Sequence, residues 1–238
     1  MYIGIDFETQ GFNAEIDAPT EVGLVAFNEK FEELYSINFF IKSPLTVPQT
    51  KEIEEITGIT DSMITSEGVF EDEVVKEILP RLQEASAIFA YNAPFDASFL
   101  VALFKRNGVP TNLPTFVDVM RDIDYPKKFK CKKLSHLAYD HGILEHPDSL
   151  HRAINDVRLM IKLLQKYDLQ TVIENAKEEK VTLRIKIPPP WEDKRGNEYA
   201  KEIGFRFVPE TKFWCKEVRA SEVNAIKQGS KYPIERLK

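Results

Sequence analysis

The chain has 238 residues, 43 % of them apolar, enough to bury the core of one large domain and leave room for a small one. No run of 18 apolar residues is present, which excludes a membrane-spanning helix, and Cys131 and Cys215 show no metal-ligand spacing. The net charge of −6 is uneven: residues 1–176 carry 17 Lys+Arg against 28 Asp+Glu, a net of −11, while residues 177–238 carry 15 against 10, a net of +5. So acidic a first part argues against strong non-specific affinity for long duplexes. The low cysteine usage suggests a reducing compartment, most simply the cytoplasm. The N-terminus leads directly into a strand, so no signal peptide is expected.

The first expected strand spans 1–8. Ile3, Ile5 and Phe7 alternate with Gly4, Asp6 and Glu8, so the two carboxylates project the same way. On a buried face they would need a counter-charge, and a bound divalent cation supplies one. On an edge strand they would simply be solvated. Ile3 and Ile5 before the acids favour a central strand.

Strands at 21–28 and 34–42 follow, the latter ended by Pro44 and Pro48. Short helical turns are expected at 50–56 and 61–65, with Thr60 or Asp61 as cap. A helix over 71–85 contains Pro80, which should kink it. A strand at 87–91 then runs into Asn92-Ala93-Pro94, where proline breaks the ladder. The next helix, 97–107, has an apolar stripe of Phe99, Leu100, Leu103 and Phe104 and closes at Asn107-Gly108. Asp96 stands at its start, where a cap is the ordinary role. Capping leaves Asn92 unexplained, and it is a candidate to orient a metal shell or a substrate.

A strand at 115–119 leads to Lys127-Lys128-Phe129-Lys130-Cys131-Lys132-Lys133, with five lysines in seven positions. Such a run is either a solvated helix entrance or a phosphate contact, with Phe129 free to stack on a base. In so acidic a surrounding the phosphate contact is preferred, with Lys127, Lys128 and Lys130 as substrate-binding residues. Helices follow at 132–141 and 153–167. The second has an apolar stripe of Ile154, Val157, Ile161 and Leu164, with Asp156 in its first turn and His151 in the loop before it. An imidazole there can reach a carboxylate locus without sharing the helix.

Strands interleaved with helices indicate an α/β domain with a mixed sheet. The expected division is a domain at 1–168, a polar linker helix at 169–180 and a small basic α+β module at 181–238. The module should hold a strand at 181–187, a stiff exit at Pro188-Pro189-Pro190, a helix at 195–203, a hairpin at 205–215 turning at Pro209-Glu210, and a helix at 221–228. Arg184, Lys186, Arg206, Lys212 and Lys216, with Phe205, Phe207, Phe213 and Trp214, are either a surface for single strands or, for most of the aromatics, the core of the module. Its Gly204-to-Trp214 pattern weakly resembles small modules appended to nucleases and helicases.

Three motifs in order, Asp6-Phe7-Glu8-Thr9, Asn92-Ala93-Pro94-Phe95-Asp96, and His151 to Asp156, resemble the DEDD superfamily of 3′-to-5′ exonucleases. The resemblance covers residues 1–168. His151 precedes Asp156 by five positions, and Arg152 stands where a sister subfamily carries Tyr. The pattern is therefore similar to the histidine (DnaQ-like) type, as in the proofreading subunit or domain of bacterial DNA polymerase III. Glu55 to Thr60 also resembles a family element in which position 57 is commonly His, and here it is Thr57.

The resemblance implies a ribonuclease H-like mixed sheet flanked by helices. It implies that Asp6, Glu8, Asp96 and Asp156 hold two Mg2+ or Mn2+ ions at the scissile phosphate, with His151 taking the proton of the attacking water. Phe7, Thr9 and Phe95, inside the motifs, join Asn92 as substrate-binding candidates. The implied substrate is a nucleic-acid 3′ end, single-stranded DNA first, and a DNA polymerase is a possible partner. Two readings compete: an RNA or short-oligonucleotide exonuclease, and a binding module without chemistry, which the intact acid set disfavours.

Overall fold

The computed structural model describes residues 1–126, 128–129, 131–144, 152–188 and 193–237. Two compact units result, Met1–Ala176 and Lys177–Lys238.

The first unit begins with an antiparallel meander, β1 (Tyr2–Thr9), β2 (Pro19–Phe27) and β3 (Glu33–Lys42). Then come α1 (Lys51–Thr57), α2 (Asp61–Glu67), β4 (Val69–Phe70), α3 (Glu71–Glu84), β5 (Ile88–Ala90), α4 (Ala93–Arg106), β6 (Phe116–Asp118), α5 (Leu134–Asp140), α6 (Ala153–Leu164) and α7 (Leu169–Lys177). The sheet order is β4-β3-β2-β1-β5-β6. β5 and β6 run parallel to β1, so the sheet is mixed, and β1 is central as its apolar alternation implied.

That alternation builds a core on each face. Ile3, Ile5 and Phe7 of β1 pack with Val74, Ile78 and Leu82 of α3 and Phe99, Leu100 and Leu103 of α4. On the other face Tyr2, Val25 and Phe27 pack with Val157, Met160, Ile161 and Leu164 of α6. Leu169, Val172 and Ile173 belong to this second cluster, so α7 is a core helix of the first unit rather than the linker expected at 169–180. Its apolar residues recur at helical spacing within a polar segment, which masked the stripe.

A second departure is α4, which starts at Ala93 rather than at 97. Asn92 takes a left-handed backbone (φ 67°, ψ 51°) as its cap, and Pro94 falls in the first turn. There its missing N–H costs nothing. The proline ends the strand and opens the helix. α3 runs through Pro80 to Glu84.

In the second unit, β7 (Lys180–Ile185), β8 (Arg206–Val208), β9 (Phe213–Arg219) and β10 (Ile234–Arg236) form a sheet in the order β10-β7-β9-β8. α8 (Gly196–Glu202) and α9 (Val223–Gln228) accompany it. The hairpin β8–β9 starts where the sequence indicated but its second strand runs on past 215 to Arg219, with Lys212 at φ 58° in its turn. β4 and β10, two and three residues long, are too short to show a period.

Candidate active site

Everything converges on the carboxyl ends of β1 and β5, where the strand order reverses and α/β sheets place their ligands. Asp6 and Glu8 leave β1 on the same face. Opposite them in the β2 ladder stand Gly23 and Glu21. A Cβ built on Gly23 would lie 2.4 Å from the backbone nitrogen of Ile154, and one on Gly4 would lie 2.7 Å from Val157. The two glycines thus let α6 lie directly on the sheet, bringing the Asp156 in its first turn to the strand acids. One carboxylate oxygen from each of Asp6, Glu8 and Asp156 lies within 4.8 Å of the other two.

Asp96 arrives from the other layer. It sits in the first turn of α4, 2 % exposed, and its Oδ1 accepts the backbone N–H of Phe7 at 3.0 Å. The carboxylate also takes its own backbone N–H in the first turn of α4, so the bond to β1 adds to the expected helix-start role. The strand end that presents it is held by Asp118 at the end of β6, whose Oδ1 accepts N–H groups from Asn92 (3.1 Å) and Met120 (3.0 Å).

These acids crowd one another, and their proton affinities are raised. Burial, then the charges of Asp96, Glu8 and Asp156, holds Asp6 well above the usual carboxylate range. Burial pushes Glu8 up to about 8, helped by Asp156 and Glu21 and opposed by the Arg152 guanidinium. Asp96 is also raised by burial, against the pull of the Phe7 N–H. An all-oxygen, mutually repelling set of this kind fits a hard divalent cation such as Mg2+ or Mn2+. Asp6, Glu8 and Asp156 would hold it, with Asp96 beside them.

Several functional candidates are rearranged. Phe7 was expected to bind substrate, but its ring is 4 % exposed and packed in the core; strand alternation turns it away from Asp6 and Glu8. The Thr9 hydroxyl donates to the Gly11 carbonyl at 2.6 Å and ties down its own loop. Asn92 earns its place through its backbone, since asparagine tolerates the left-handed region. Among the described residues its side chain makes no hydrogen bond. Phe95 is half-buried against Phe99, with ring centroids 5.0 Å apart. Thr57, where the resemblance has His, is buried; its hydroxyl donates to Ile53 O at 2.9 Å and accepts from Ile59 N at 3.1 Å.

His151, Lys127 and Lys130 lie outside the described residues. Lys128 is exposed, with its ammonium 5.0 Å from the Phe129 ring, and Phe129 itself packs on His141 at 4.8 Å. The Tyr91 hydroxyl donates to the Lys132 carbonyl, tying this lysine-rich segment to the strand end that precedes Asp96.

Two further residues emerge. Glu21, fully buried, accepts from Arg152 (Nη2 at 2.7 Å, Nε at 3.1 Å), the Ala153 N–H (3.1 Å) and Asn38 (2.7 Å), anchoring the start of α6. Its signal was a lone carboxylate in the apolar run Pro19–Phe27. Phe12, 92 % exposed, has its ring centroid 6.4 Å from that of Phe95, beside Asp96 in the chain. An exposed Phe three residues beyond the acid motif was the signal there.

The exonuclease family model RNase_T matches residues 3–164, more than half of the chain. The chain belongs to this family. Residues 3–164 are an exonuclease domain of the DnaQ-like, 3′-to-5′ type, as the three motifs implied. A DNA polymerase III PolC-type from Thermotoga maritima is 28 % identical over 169 residues, covering 70 % of this chain and 12 % of that protein. Ribonuclease T of Vibrio cholerae is 36 % identical over 115 residues, covering 43 % of this chain and 51 % of its own length. The chain thus spans about an eighth of the polymerase relative. The zinc-bound complex of E. coli exonuclease I with single-stranded DNA has the same fold, with a TM-score of 0.64 at 16 % identity, over 92 % of this chain and 62 % of that one. Among the described residues, no helix is long and apolar enough to cross a membrane.

Proposed function

We propose that the chain hydrolyses single-stranded DNA from its 3′ end and releases nucleoside 5′-monophosphates, with two Mg2+ or Mn2+ ions as cofactors. The observation that carries this is the meeting of Asp6, Glu8 and Asp156 within 4.8 Å at the end of a central strand, with buried Asp96 bonded to the same strand. Bound divalent cations would supply charge neutralisation at the phosphate and lower the pKa of a water. Asp6, Glu8, Asp96 and Asp156 hold them, and His151, on the family resemblance, accepts the water proton as general base. Exposed Phe12, resting on Phe95, offers a stacking surface for the terminal base. Lys127, Lys128 and Lys130 contribute phosphate contacts in this reading.

Release of mononucleotides from end-labelled single-stranded DNA, compared in Mg2+, Mn2+ and EDTA, tests the proposal. Internal cleavage of a circular strand contradicts it. Histidine 151 is tested by His151→Ala, which should bind metal normally and lose about 10²- to 10⁴-fold in turnover. Near-normal hydrolysis in that variant removes His151 from the mechanism.

A second reading, RNA trimming, is favoured by the 36 % identity to ribonuclease T over 115 residues. The same assay on labelled RNA of equal sequence separates the two. A DNA polymerase partner is supported by the polymerase relatives alone, and co-elution with a replicative polymerase tests it.

A further inference from the structure

A nuclease whose first unit carries −11 needs cations elsewhere to hold a long polyanion, and the second unit carries +5. Those cations have a structured setting. On β7, Val181, Leu183 and Ile185 are buried with Ala200 of α8, and Val223 and Ile226 pack against the same cluster. Thr182 and Arg184 therefore turn to the opposite face of the sheet. In the ladder Arg184 pairs with Cys215, and Cys215 with Arg206 of the edge strand β8. Across the four strands this row reads Glu235, Arg184, Cys215, Arg206, placing the two arginines roughly 10 Å apart at their Cα atoms, two strand spacings. The neighbouring row holds Phe213 opposite Val208. None of these six residues belongs to the buried cluster of the unit.

The Arg184 guanidinium carbon lies 3.3 Å from the centroid of the Phe213 ring, a cation over an aromatic face. Arg206 is exposed and, among the described residues, has no carboxylate partner. Glu235 of the edge strand β10, beside Arg184, is engaged by Lys186 at 2.6 Å, which leaves Arg206, among the described residues, as the uncompensated cation of the row. Trp214 is different in kind: it lies on the helix side, packs against the module's cluster and donates its Nε1–H to Asn197 at 3.0 Å, with the centroid of the half-exposed Phe207 ring 5.7 Å away.

We propose that this open sheet face binds single-stranded DNA, with Arg184 and Arg206 on phosphates and a base stacked at the Arg184–Phe213 pair. Charge complementarity chooses the polyanion, and the stacked ring and guanidinium choose unpaired bases over duplex. The choice of DNA rests on the exonuclease reading above. Chain continuity through α7 makes such a site a tether that raises the local concentration of substrate at the catalytic unit.

The test is fluorescence anisotropy of 5′-labelled dT20 with the full chain in EDTA, where hydrolysis is suppressed, over a range of NaCl concentrations. Arg184→Gln with Arg206→Gln should weaken binding about tenfold or more and flatten the log Kd against log salt slope by about 1.4, two single-strand phosphate contacts. Phe213→Ala should weaken binding about fivefold or more with the slope unchanged. Arg184→Lys with Arg206→Lys should keep the slope. If the double glutamine variant melts early, exposed Arg206→Gln alone decides, with an expected slope change of about 0.7. Unchanged affinity and slope in these variants overturn the proposal, as does tighter binding of rU20 than of dT20. Dinucleotide hydrolysis in Mg2+ is measured separately, so a failed exonuclease reading and a failed binding face give different results.

Discussion

Glu8 and Glu21 face each other across the β1–β2 ladder, yet the half-buried Glu8 and the buried Glu21 are opposite kinds of acid. Glu21 has a bidentate arginine, a backbone N–H and an asparagine amide. Glu8 has two neighbouring acids and only the distant pull of the same arginine, Arg152, and burial drives it up to about 8. A carboxylate whose partners come from the fold is structural. One crowded by other acids at a strand end is a candidate for function.

The sharpest way to break the contrast is to remove one acid of each kind. Asp156→Asn should abolish most hydrolysis, by more than the loss expected for His151→Ala. It should also raise the melting temperature in EDTA at pH 8, because a charge that repels Glu8 and Asp6 is gone. Parallel single-turnover assays and thermal melts check both halves. Glu21→Ala should do the reverse to stability. It strands Arg152 and the Ala153 N–H, costing about 3 kcal/mol with part of the arginine still reaching water. Urea denaturation measures it, and a loss below about 0.5 kcal/mol would dissolve the distinction.

The next effect is on pH dependence. Glu8 has a folded pKa above its unfolded value, so its contribution is fully present below about pH 4.5 and is lost as pH rises through about 8. Asp6 and Asp96, also raised, act in the same direction. Metal-free protein should therefore lose melting temperature between pH 5 and pH 8, and Mg2+ or Mn2+ should recover the loss at pH 8. A flat profile in EDTA would argue that the acids are relieved by some other route. The smallest effect belongs to the rim. Phe12→Ala should raise KM about five- to tenfold with kcat nearly unchanged, as the loss of one stacking contact predicts, and steady-state kinetics on short oligonucleotides read it directly.

Local rules made half of this site legible. Alternation put Asp6 and Glu8 on one face, and the Asn92-Ala93-Pro94 break placed Asp96 at a strand end. The same alternation should have removed Phe7 from the substrate-binding candidates, since a residue between two inward acids must face the opposite layer. The start of α4 was misplaced because Pro94 reads as a breaker whether it precedes a helix or opens one. Glu21 was out of reach for another reason: its arginine is 131 positions away, and only the packing of α6 onto β2 brings them together. Gly23 was equally silent, because what it permits is the approach of a distant backbone.

Phe7 joins three tasks in one residue. Its ring fills the core, its N–H holds Asp96, and its neighbours on both sides are metal-ligand candidates. Rigidity of the hydrophobic layer is thereby converted into precision of the acid cluster over the length of a single peptide unit. Any drift of β1 in its bed of Ile78, Phe99 and Leu103 moves Asp6, Glu8 and Asp96 together. Adaptation of this enzyme to a colder or hotter setting must then adjust core packing and turnover as one variable.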